Sequence, residues 1–243
     1  PMAQRHIIDK HIDDQLKQGL IEAAQSAYAA NLVIVRKKDG TTRCCCDNRS
    51  LNERTHRDAY PLPRMDQCLD ALGGDNRWFT TCDLRSGYYQ VSLAKQDRDK
   101  TAFISHRGLH RYTVMPMGLM NAPSTFQRLM DLVMSGLVFE VCLVYLDDIV
   151  IFSRTLEEHL QRLELVLQRL IATGLKLKPS KCNLLQRQVT FLGHVISEEG
   201  IATDPAKTEQ IVAWPTPTSV HEVRQFLGLC SYYRRFVSHY AEK

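Results

Sequence analysis

The pattern of apolar and polar positions first predicts a series of amphipathic helices. Apolar residues that recur every three or four positions before a glycine are typical of a helix with one buried face. The series begins at Ile8, Ile12 and Leu16, which precede Gly19. Further helices are predicted over 65–72 and 121–134, and a small helical element is predicted around 214–233.

The longest predicted helix follows residue 155. Thr155 and Glu158 form the sequence pattern of a capping box, in which each residue binds a free amide of the first turn. Gly174 is expected to end this helix. Its apolar face is expected to comprise Leu156, Leu160, Leu163, Leu167 and Leu170.

Runs rich in β-branched and aromatic residues predict strands between these helices. These runs occupy 31–37, 43–46, 78–84, 141–144, 149–152 and 191–196. The first two are joined by a turn at 38–40, and Gly193 lies inside the last. Because helices and antiparallel hairpins alternate without a regular βαβ rhythm, we predict an α+β fold.

The composition narrows the class of protein without identifying it. The chain has 243 residues, of which 44% are hydrophobic and 24% are charged, and its net charge is +4. This balance is typical of a globular domain with a sizeable core, and no apolar run reaches the length of a membrane span. Mild basicity permits nucleic-acid binding without establishing it.

Cysteine usage indicates the cellular compartment of the chain, and the first residue indicates its origin in a longer polypeptide. The eight cysteines form no metal-binding or disulfide pattern. We therefore predict reduced thiols and an intracellular, cytoplasmic protein. Because the sequence begins with Pro1, we interpret it as a segment of a longer polypeptide.

Three aspartates form the candidate catalytic centre. Asp147 and Asp148 lie at the tip of the hairpin formed by 141–152, where two adjacent carboxylates both stay ionised only if a cation holds them. Asp83 lies at the end of another strand, and if the strands are neighbours the three carboxylates meet at one sheet edge. Such oxygen ligands suit Mg²⁺, and two ions about 3.5–4 Å apart could activate a 3′-hydroxyl and stabilise a leaving pyrophosphate. A Tyr-x-Asp-Asp turn alone is more often ordinary turn chemistry.

A series of motifs in fixed order strengthens this interpretation. The motifs are Tyr60-Pro61-Leu62-Pro63-Arg64, Asp83-Leu84-Arg85-Ser86-Gly87-Tyr88-Tyr89-Gln90, Lys100-Thr101-Ala102-Phe103, Met115-Pro116-Met117-Gly118-Leu119-Met120-Asn121-Ala122-Pro123, Phe126-Gln127, Tyr145-Leu146-Asp147-Asp148 and Phe191-Leu192-Gly193-His194. In this order, and over nearly the whole chain, the sequence resembles the reverse transcriptase of gypsy-like long-terminal-repeat retrotransposons. Each motif is weak alone, but their joint order is very hard to obtain by chance.

The resemblance implies a right-hand polymerase architecture with fingers, a palm and a partial thumb. The implied fingers are 1–58 and 91–121, the palm 59–90 and 122–197, and the thumb 198–243. The implied enzyme is an RNA-directed DNA polymerase, a nucleotidyltransferase that extends a primer 3′-hydroxyl by two-metal phosphoryl transfer. Its implied partners are RNA and DNA templates, a primer, dNTPs and two Mg²⁺ ions, with Mn²⁺ as a substitute. Ribonuclease H and integrase segments of a parent polyprotein, and a virus-like particle as the location, are also implied.

The resemblance also implies roles for individual residues. Asp83, Asp147 and Asp148 would be the catalytic residues and metal ligands, together with the Leu84 carbonyl. Tyr88 would lie under the sugar and leave no room for a 2′-hydroxyl. The implied nucleotide-binding residues are Lys37, with Arg36 and Lys38 as alternatives, Arg43, Ser86, Gly87, Tyr88 and Met117. The implied template or primer contacts are Gly118, Gln127, Tyr145, Leu146, Phe191, Leu192, Gly193 and His194.

Departures from the family pattern leave alternative hypotheses open. Relatives usually carry an aromatic residue at the positions of Cys44 and Asn48, and Phe or Gln at the position of Met117. Because the loss of a core aromatic residue costs packing energy, a second hypothesis is a non-catalytic nucleic-acid-binding relic that keeps the fold. The intact aspartates argue against it. A third hypothesis, an RNA-templated RNA polymerase, conflicts with the aromatic ring of Tyr88.

Overall fold

The computed structural model describes residues 5–36, 40 and 42–242, and within these it contains seven α-helices and three β-sheets. The helices are α1 (Arg5–Lys17), α2 (Arg49–Asn52), α3 (Met65–Leu72), α4 (Ala122–Val133), α5 (Leu156–Thr173), α6 (Pro205–Val212) and α7 (Val220–Ser231). Helices and mainly antiparallel sheets are interleaved, which confirms the predicted α+β class.

Twelve strands form the sheets of the described residues. They are β1 (Ile21–Ala23), β2 (Ala30–Arg36), β3 (Thr42–Cys46), β4 (Trp78–Asp83), β5 (Phe103–Ser105), β6 (Gly108–Tyr112), β7 (Cys142–Tyr145), β8 (Asp148–Ser153), β9 (Asn183–Gln186), β10 (Gln188–Phe191), β11 (His194–Ser197) and β12 (Gly200–Thr203). Their orders are β1-β6-β5-β2-β3, β7-β8-β4-β9 and β10-β11-β12. The predicted hairpins β2–β3 and β7–β8 are confirmed.

The middle of the four-stranded sheet is covered on both faces, which explains why β7 and most of β8 are apolar throughout. On one face, Ile149 and Ile151 of β8 join a buried cluster with Phe126 of α4 and Val166 of α5. On the other face, Val150 belongs to a second cluster, which includes residues of α3, β10 and β11. Successive residues of β8 thus pack into clusters on opposite faces of the sheet. A shift of the strand pairing by one residue would move every side chain to the other face, so the pairing register is strongly determined.

The predicted strand over 191–196 is wrong, because the chain reverses in its middle. β10 ends at Phe191 and β11 begins at His194, and these two residues pair across a two-residue turn. Both turn residues have positive φ, 47° at Leu192 and 66° at Gly193. Two successive positive φ angles match the twist of a tight hairpin, but leucine rarely adopts one. Because the side chain of Leu192 is apolar, the sequence pattern at this turn resembles the middle of a strand.

The first helix lies against the five-stranded sheet, as its apolar pattern predicted. Ile12 of α1 is buried beside Ile21, Phe103 and Tyr112. Gly19 has a φ of 69°, so the chain leaves the helix where the sequence placed its end.

Helix α5 begins as predicted, but its buried face differs. The Thr155 hydroxyl accepts the Glu158 amide at 3.2 Å, while the Glu158 carboxylate accepts the amide of Arg154, so only half of a capping box forms. Leu160 is 48% exposed, whereas His159 is buried. The helix is rotated toward His159 because that side chain binds two hydroxyl groups of the sheet.

The described chain ends with α6 and α7, which confirms the small helical element predicted there. Across the described ranges, no helix combines the length and the apolar character needed to cross a membrane.

Candidate active site

The pairing of β4 with β8 brings the three predicted catalytic aspartates to one end of the four-stranded sheet. Asp83, the last residue of β4, lies opposite Asp148, the first residue of β8. Asp147 immediately precedes β8, and its carbonyl accepts a 3.3 Å hydrogen bond from the Leu84 amide. The condition set by the sequence, that the two strands be neighbours, is therefore met.

A buried glutamine fixes the turn that carries Asp147. Leu146 is left-handed, with a φ of 55°, and its amide donates to Gln127 Oε1 at 2.8 Å. Gln127 Nε2 in turn donates to Asp131 Oδ1 at 2.9 Å. Gln127 is completely buried, so its side chain is not exposed to a template or primer in this structure, and the predicted contact stays a prediction. The Gln127 amide ties α4 to the catalytic turn.

The electrostatics of the site centre on Asp148 and Lys181. Burial, followed by the charges of Asp147 and Asp83, raises the pKa of Asp148, and Lys181 opposes this increase. Lys181 Nζ lies 2.7 Å from Asp83 Oδ2, and this hydrogen bond raises the pKa of the lysine. The lysine therefore supplies part of the positive charge that three neighbouring carboxylates require.

The donor set at this sheet end fits a divalent cation by its chemistry. The aspartates are adjacent through strand pairing, and carboxylate oxygens are hard ligands of the kind that Mg²⁺ and Mn²⁺ prefer. As the side chains stand, no three histidine, cysteine, aspartate or glutamate residues in the described part of the chain are grouped closely enough to hold a metal ion. Asp83 is instead directed to Lys181.

The segment after β4 packs against the same turn. Ser86 has a φ of 51°, and a 3₁₀ helix begins at Gly87. A Cβ atom on Gly87 would lie 2.8 Å from Phe126 Cζ and 3.3 Å from Asp147 Cβ, so only glycine fits without movement. Tyr88 meets Phe126 edge to face, with ring centroids 5.4 Å apart. Burial and then the charge of Asp147 raise the pKa of Tyr88, which places its phenol close to the acids.

Two predicted nucleotide-binding residues from distant parts of the chain meet at a cavity. The Arg43 guanidinium on β3 contacts the Met117 sulfur. Both line a cavity of about 760 Å³ together with Ser86, and α1 forms another wall that the sequence did not predict. Lys37 and its alternative Lys38 lie outside the described residues. Arg36 ends β2 and is exposed.

Two asparagines hold the loop that carries Met117 and Gly118. Asn48 is buried, and its Nδ2 donates to the Met117 carbonyl at 3.4 Å. Asn52 Nδ2 donates to the Gly118 carbonyl at 2.9 Å, and Gly118 has a φ of 92°. Asn48 therefore gives this loop a hydrogen bond that a phenylalanine at the same position could not provide.

The turn between β10 and β11 borders the acid cluster. Phe191 and Leu192 line a cavity of about 390 Å³ whose other lining residues include Asp83, Asp148 and Lys181. The turn that the resemblance assigned to the primer is therefore a neighbour of the aspartates.

Two members of the predicted template or primer set lie beneath this turn. Phe191 is 3% exposed and His194 is 1% exposed. Their side chains are packed in the core, and a contact of these two residues with nucleic acid stays a prediction. Leu192 and Gly193 form the accessible part of the turn, while Tyr145 and Leu146 are half-buried.

Lys181 was not predicted from the sequence. This lysine ends a 3₁₀ segment, Pro179–Lys181, that precedes β9. The available signal is a group of three lysines after α5, at positions 176, 178 and 181. Their spacing does not reveal which one reaches Asp83, because that depends on how β9 pairs with β4.

A protein-family model and several sequence relatives match this chain. The model described as "Reverse transcriptase (RNA-dependent DNA polymerase)" matches residues 35–196. The Pol polyprotein of transposon 297 from Drosophila melanogaster is 43% identical and covers 100% of this chain, which corresponds to 23% of that polyprotein. The Pol polyprotein of transposon gypsy from the same organism is 37% identical and covers 99% of the chain, or 24% of its own length. The chain thus spans about a quarter of these relatives.

Solved structures of foamy viral protease-reverse transcriptase have the same fold. One in complex with double-stranded DNA has a TM-score of 0.89 and 28% identity, and it covers 97% of this chain and 41% of the other. One in complex with an RNA/DNA hybrid has a TM-score of 0.83 and 27% identity, and it covers 96% of this chain and 31% of the other.

Proposed function

The chain belongs to the reverse transcriptase family, among the Pol proteins of gypsy-like retrotransposons, and on this premise we propose that it is a polymerase unit that copies RNA and DNA templates into DNA. The observation that carries the proposal is the pairing of Asp83 with Asp148 beside Asp147. In the proposed reaction, a primer 3′-hydroxyl attacks the α-phosphorus of a dNTP, a new phosphodiester bond forms and pyrophosphate leaves.

The aspartates are proposed to act as ligands for divalent metal ions, which this enzyme family uses in general. We assign two Mg²⁺ ions, with Mn²⁺ as a substitute, to Asp83, Asp147, Asp148 and the Leu84 carbonyl. Bound there, such ions activate the primer hydroxyl and neutralise the leaving group. The chain itself supplies rigid placement, because the Gln127 amide holds the turn that carries two of the ligands.

We assign the incoming nucleotide to the residues around the cavity that Arg43, Ser86 and Met117 line. Arg43 has a planar guanidinium that suits a phosphate, and the backbone amides of Ser86 and Gly87 are assigned to the triphosphate. Tyr88 is packed against Phe126, so its ring is held in place beneath a sugar. Met117 is proposed to pack against the nucleotide. A held ring excludes a 2′-hydroxyl and selects deoxynucleotides.

The proposed domains follow the right-hand plan. Residues 1–58 and 91–121 are the fingers, 59–90 and 122–197 the palm, and 198–243 a partial thumb. The foamy viral structures contain double-stranded DNA and an RNA/DNA hybrid, and we propose the same kinds of duplex as partners here. Gly118, Tyr145, Leu146 and the Leu192–Gly193 turn are the proposed contacts.

The surroundings of the chain are proposed from its relatives. Because these are longer Pol polyproteins, we propose ribonuclease H and integrase segments as its neighbours in one polyprotein. A cytoplasmic virus-like particle is the proposed location.

A primer-extension assay with this chain tests the proposal. The substrates are a labelled DNA primer on RNA and on DNA templates, with Mg²⁺ and either dNTPs or NTPs. We expect extension with dNTPs on both templates and little extension with NTPs. Asp147→Asn should remove the extension, because it removes one carboxylate ligand and leaves the turn in place.

Each alternative has its own result in this assay. Equal extension by the Asp147→Asn variant would show that the catalytic assignment is wrong. Binding of the duplex without any extension by the unmodified chain would indicate a nucleic-acid-binding relic. Efficient use of NTPs would indicate an RNA polymerase.

A further inference from the structure

We propose that Tyr232 and Tyr233 are positioning residues for the primer, because they hold the Leu192–Gly193 turn through its two carbonyl groups. The inference rests on the proposed function, in which this turn contacts the primer. The Tyr232 hydroxyl donates to the Leu192 carbonyl at 2.5 Å, and the Tyr233 hydroxyl donates to the Gly193 carbonyl at 2.6 Å. Adjacent residues of one segment thus bind adjacent carbonyls of the turn, 40 positions away in the sequence.

The turn depends on these donors because its carbonyls stand outside the strand ladder. The ladder pairs Phe191 with His194, so the two residues between them must find hydrogen-bond partners elsewhere. The Leu192 carbonyl lies 2.7 Å from His194 Nδ1 as well as 2.5 Å from the Tyr232 hydroxyl. With Nδ1 as the protonated nitrogen, both lone pairs of this oxygen are used, and its direction is fixed.

An aromatic cluster, in which Tyr233 and His194 are buried and Tyr232 is 41% exposed, holds the hydroxyl groups in place. The His194 ring stacks on Tyr232 with centroids 5.4 Å apart, and it meets Tyr233 edge to face at 5.3 Å. Phe236 closes the cluster at 5.7 Å from the same histidine. A Cβ atom on Gly193 would lie 3.4 Å from the Tyr232 hydroxyl oxygen, so the turn is already in close contact with the ring.

The direction of the carbonyls determines the face that the turn presents to the acid cluster. A trans peptide is planar, and its N–H points opposite to its C=O. With the Leu192 carbonyl held by Tyr232, the Gly193 N–H points away from the aromatic cluster. Backbone N–H groups bind phosphate oxygens and set the position of a nucleic acid without reading its sequence. The tyrosines thereby control the orientation of a phosphate-binding group beside the cavity that contains Asp83.

The test uses Tyr232→Phe, Tyr233→Phe and the double variant, which keep every ring and remove only the hydroxyl groups. The matched control is Tyr240→Phe, because among the described residues the Tyr240 hydroxyl makes hydrogen bonds only to Ser231 and Leu227 of α7. Affinity for a primer–template is measured by fluorescence anisotropy, and kcat and the KM for dNTP by steady-state extension. Melting temperatures report the stability of each variant.

We expect each single variant to weaken primer–template binding by about fivefold, the equivalent of one hydrogen bond, and the double variant to weaken it further, with little change in the KM for dNTP. Tyr240→Phe should leave primer affinity unchanged. A primer with neutral methylphosphonate linkages near its 3′ end should bind the unmodified chain and the double variant equally. Equal loss with charged and neutral primers, or parallel changes in melting temperature and in both kinetic constants, would overturn the positioning role. Failure of the unmodified chain to extend any primer would instead count against the proposed function.

Discussion

At Gly87, the space for a side chain is already occupied by Phe126 and by the β-carbon of Asp147. We predict that Gly87→Ala lowers stability by about 1–3 kcal/mol, because either the ring or the catalytic turn must move. Primer extension should fall more than stability alone explains, since the turn carries two of the acids. Urea unfolding and single-turnover extension would measure the two effects separately.

The control for this substitution is Gly228→Ala in α7, where a Cβ atom has no neighbour within 4 Å. In a helix, this change should stabilise the chain by about 0.5–1 kcal/mol and leave extension unchanged. A Gly87→Ala variant that is as stable and as active as the unmodified chain would show that Phe126 and the turn adjust freely.

Lys181 leads to a prediction about metal affinity. Its ammonium group is bound to Asp83, so a cation entering the site must compete with it. Because the lysine is more than half exposed, this competition is modest, and Lys181→Met should tighten Mg²⁺ binding by up to about fivefold. The Mg²⁺-dependent increase in melting temperature provides the measurement.

Lys178→Met is the matched control, since it removes the same charge from an exposed side chain of the same loop. Its Mg²⁺ affinity should change less, because the Lys178 contact with Asp83 is made by the backbone amide alone. Equal changes in the two variants would show that overall charge, and not the ion pair, governs the affinity.

Individual residues differ in how far the sequence could predict them. Asp83 was predictable because it ends a β-rich run. A charged residue at the end of such a strand lies at the edge of the sheet. The role of Gln127 was not predictable, because motif similarity gives a position in the chain but not the burial of a side chain. Lys181 was hidden for a related reason, since only the pairing of two strands determines which lysine reaches the acids.

Within the elements, His159 joins α5 to two strands of the central sheet through buried hydroxyl groups. Its Nε2 lies 2.8 Å from Thr80 Oγ1, and its Nδ1 lies 3.0 Å from Ser153 Oγ. Ser153 donates its own proton to the Thr155 carbonyl, so it accepts from Nδ1–H. Thr80 Oγ1 accepts the Leu185 amide, which leaves the threonine proton for Nε2, as a neutral histidine requires. Burial and then Arg162 lower its pKa, and Glu158 opposes this decrease.

This arrangement predicts a loss of stability in acid. The unfolded histidine takes up a proton below about pH 6.5, whereas the folded one does so only at lower pH. The contribution of His159 to the free energy of unfolding is therefore complete above about pH 6.5. It declines as the pH falls, by at most about 1.4 kcal/mol per pH unit. Urea unfolding from pH 8 to 5.5 should show a shallower decline for His159→Gln than for the unmodified chain. Identical slopes would assign the decline to other groups, such as His11, His110 and His194, whose pKa values are also lowered by burial.

Helices and most strands were predictable because each has a strong local period. The hairpin β10–β11 was not, since its turn consists of Leu192 and Gly193 and looks like the middle of an apolar strand. Here the packing of Tyr232 and Tyr233 stabilises a backbone conformation that leucine alone disfavours. Contacts from a distant element thus override the local preference.

For the whole molecule, the sequence predicted the class of the fold, and it gave the adjacency of β4 and β8 only as the condition for a site of three aspartates. It could not give the order of strands in the three sheets, because their pairing joins segments far apart in the chain. It also did not show that α1 forms a wall of the cavity next to Arg43 and Met117. Such features depend on packing between distant segments. The local spacing of apolar residues in the sequence carries no information about that packing.

The central place of β4 has a consequence for synthesis on the ribosome. Its two neighbours, β8 and β9, both follow it in the chain, and Asp148 is made 65 residues after Asp83. At about 5–20 residues per second, a nascent chain carries this apolar strand with both edges unpaired for several seconds. The interval is a window for misassociation between nascent chains or for chaperone binding. The three aspartates come together only at its end, so a ribosome-bound fragment that stops before β8 should show no primer extension.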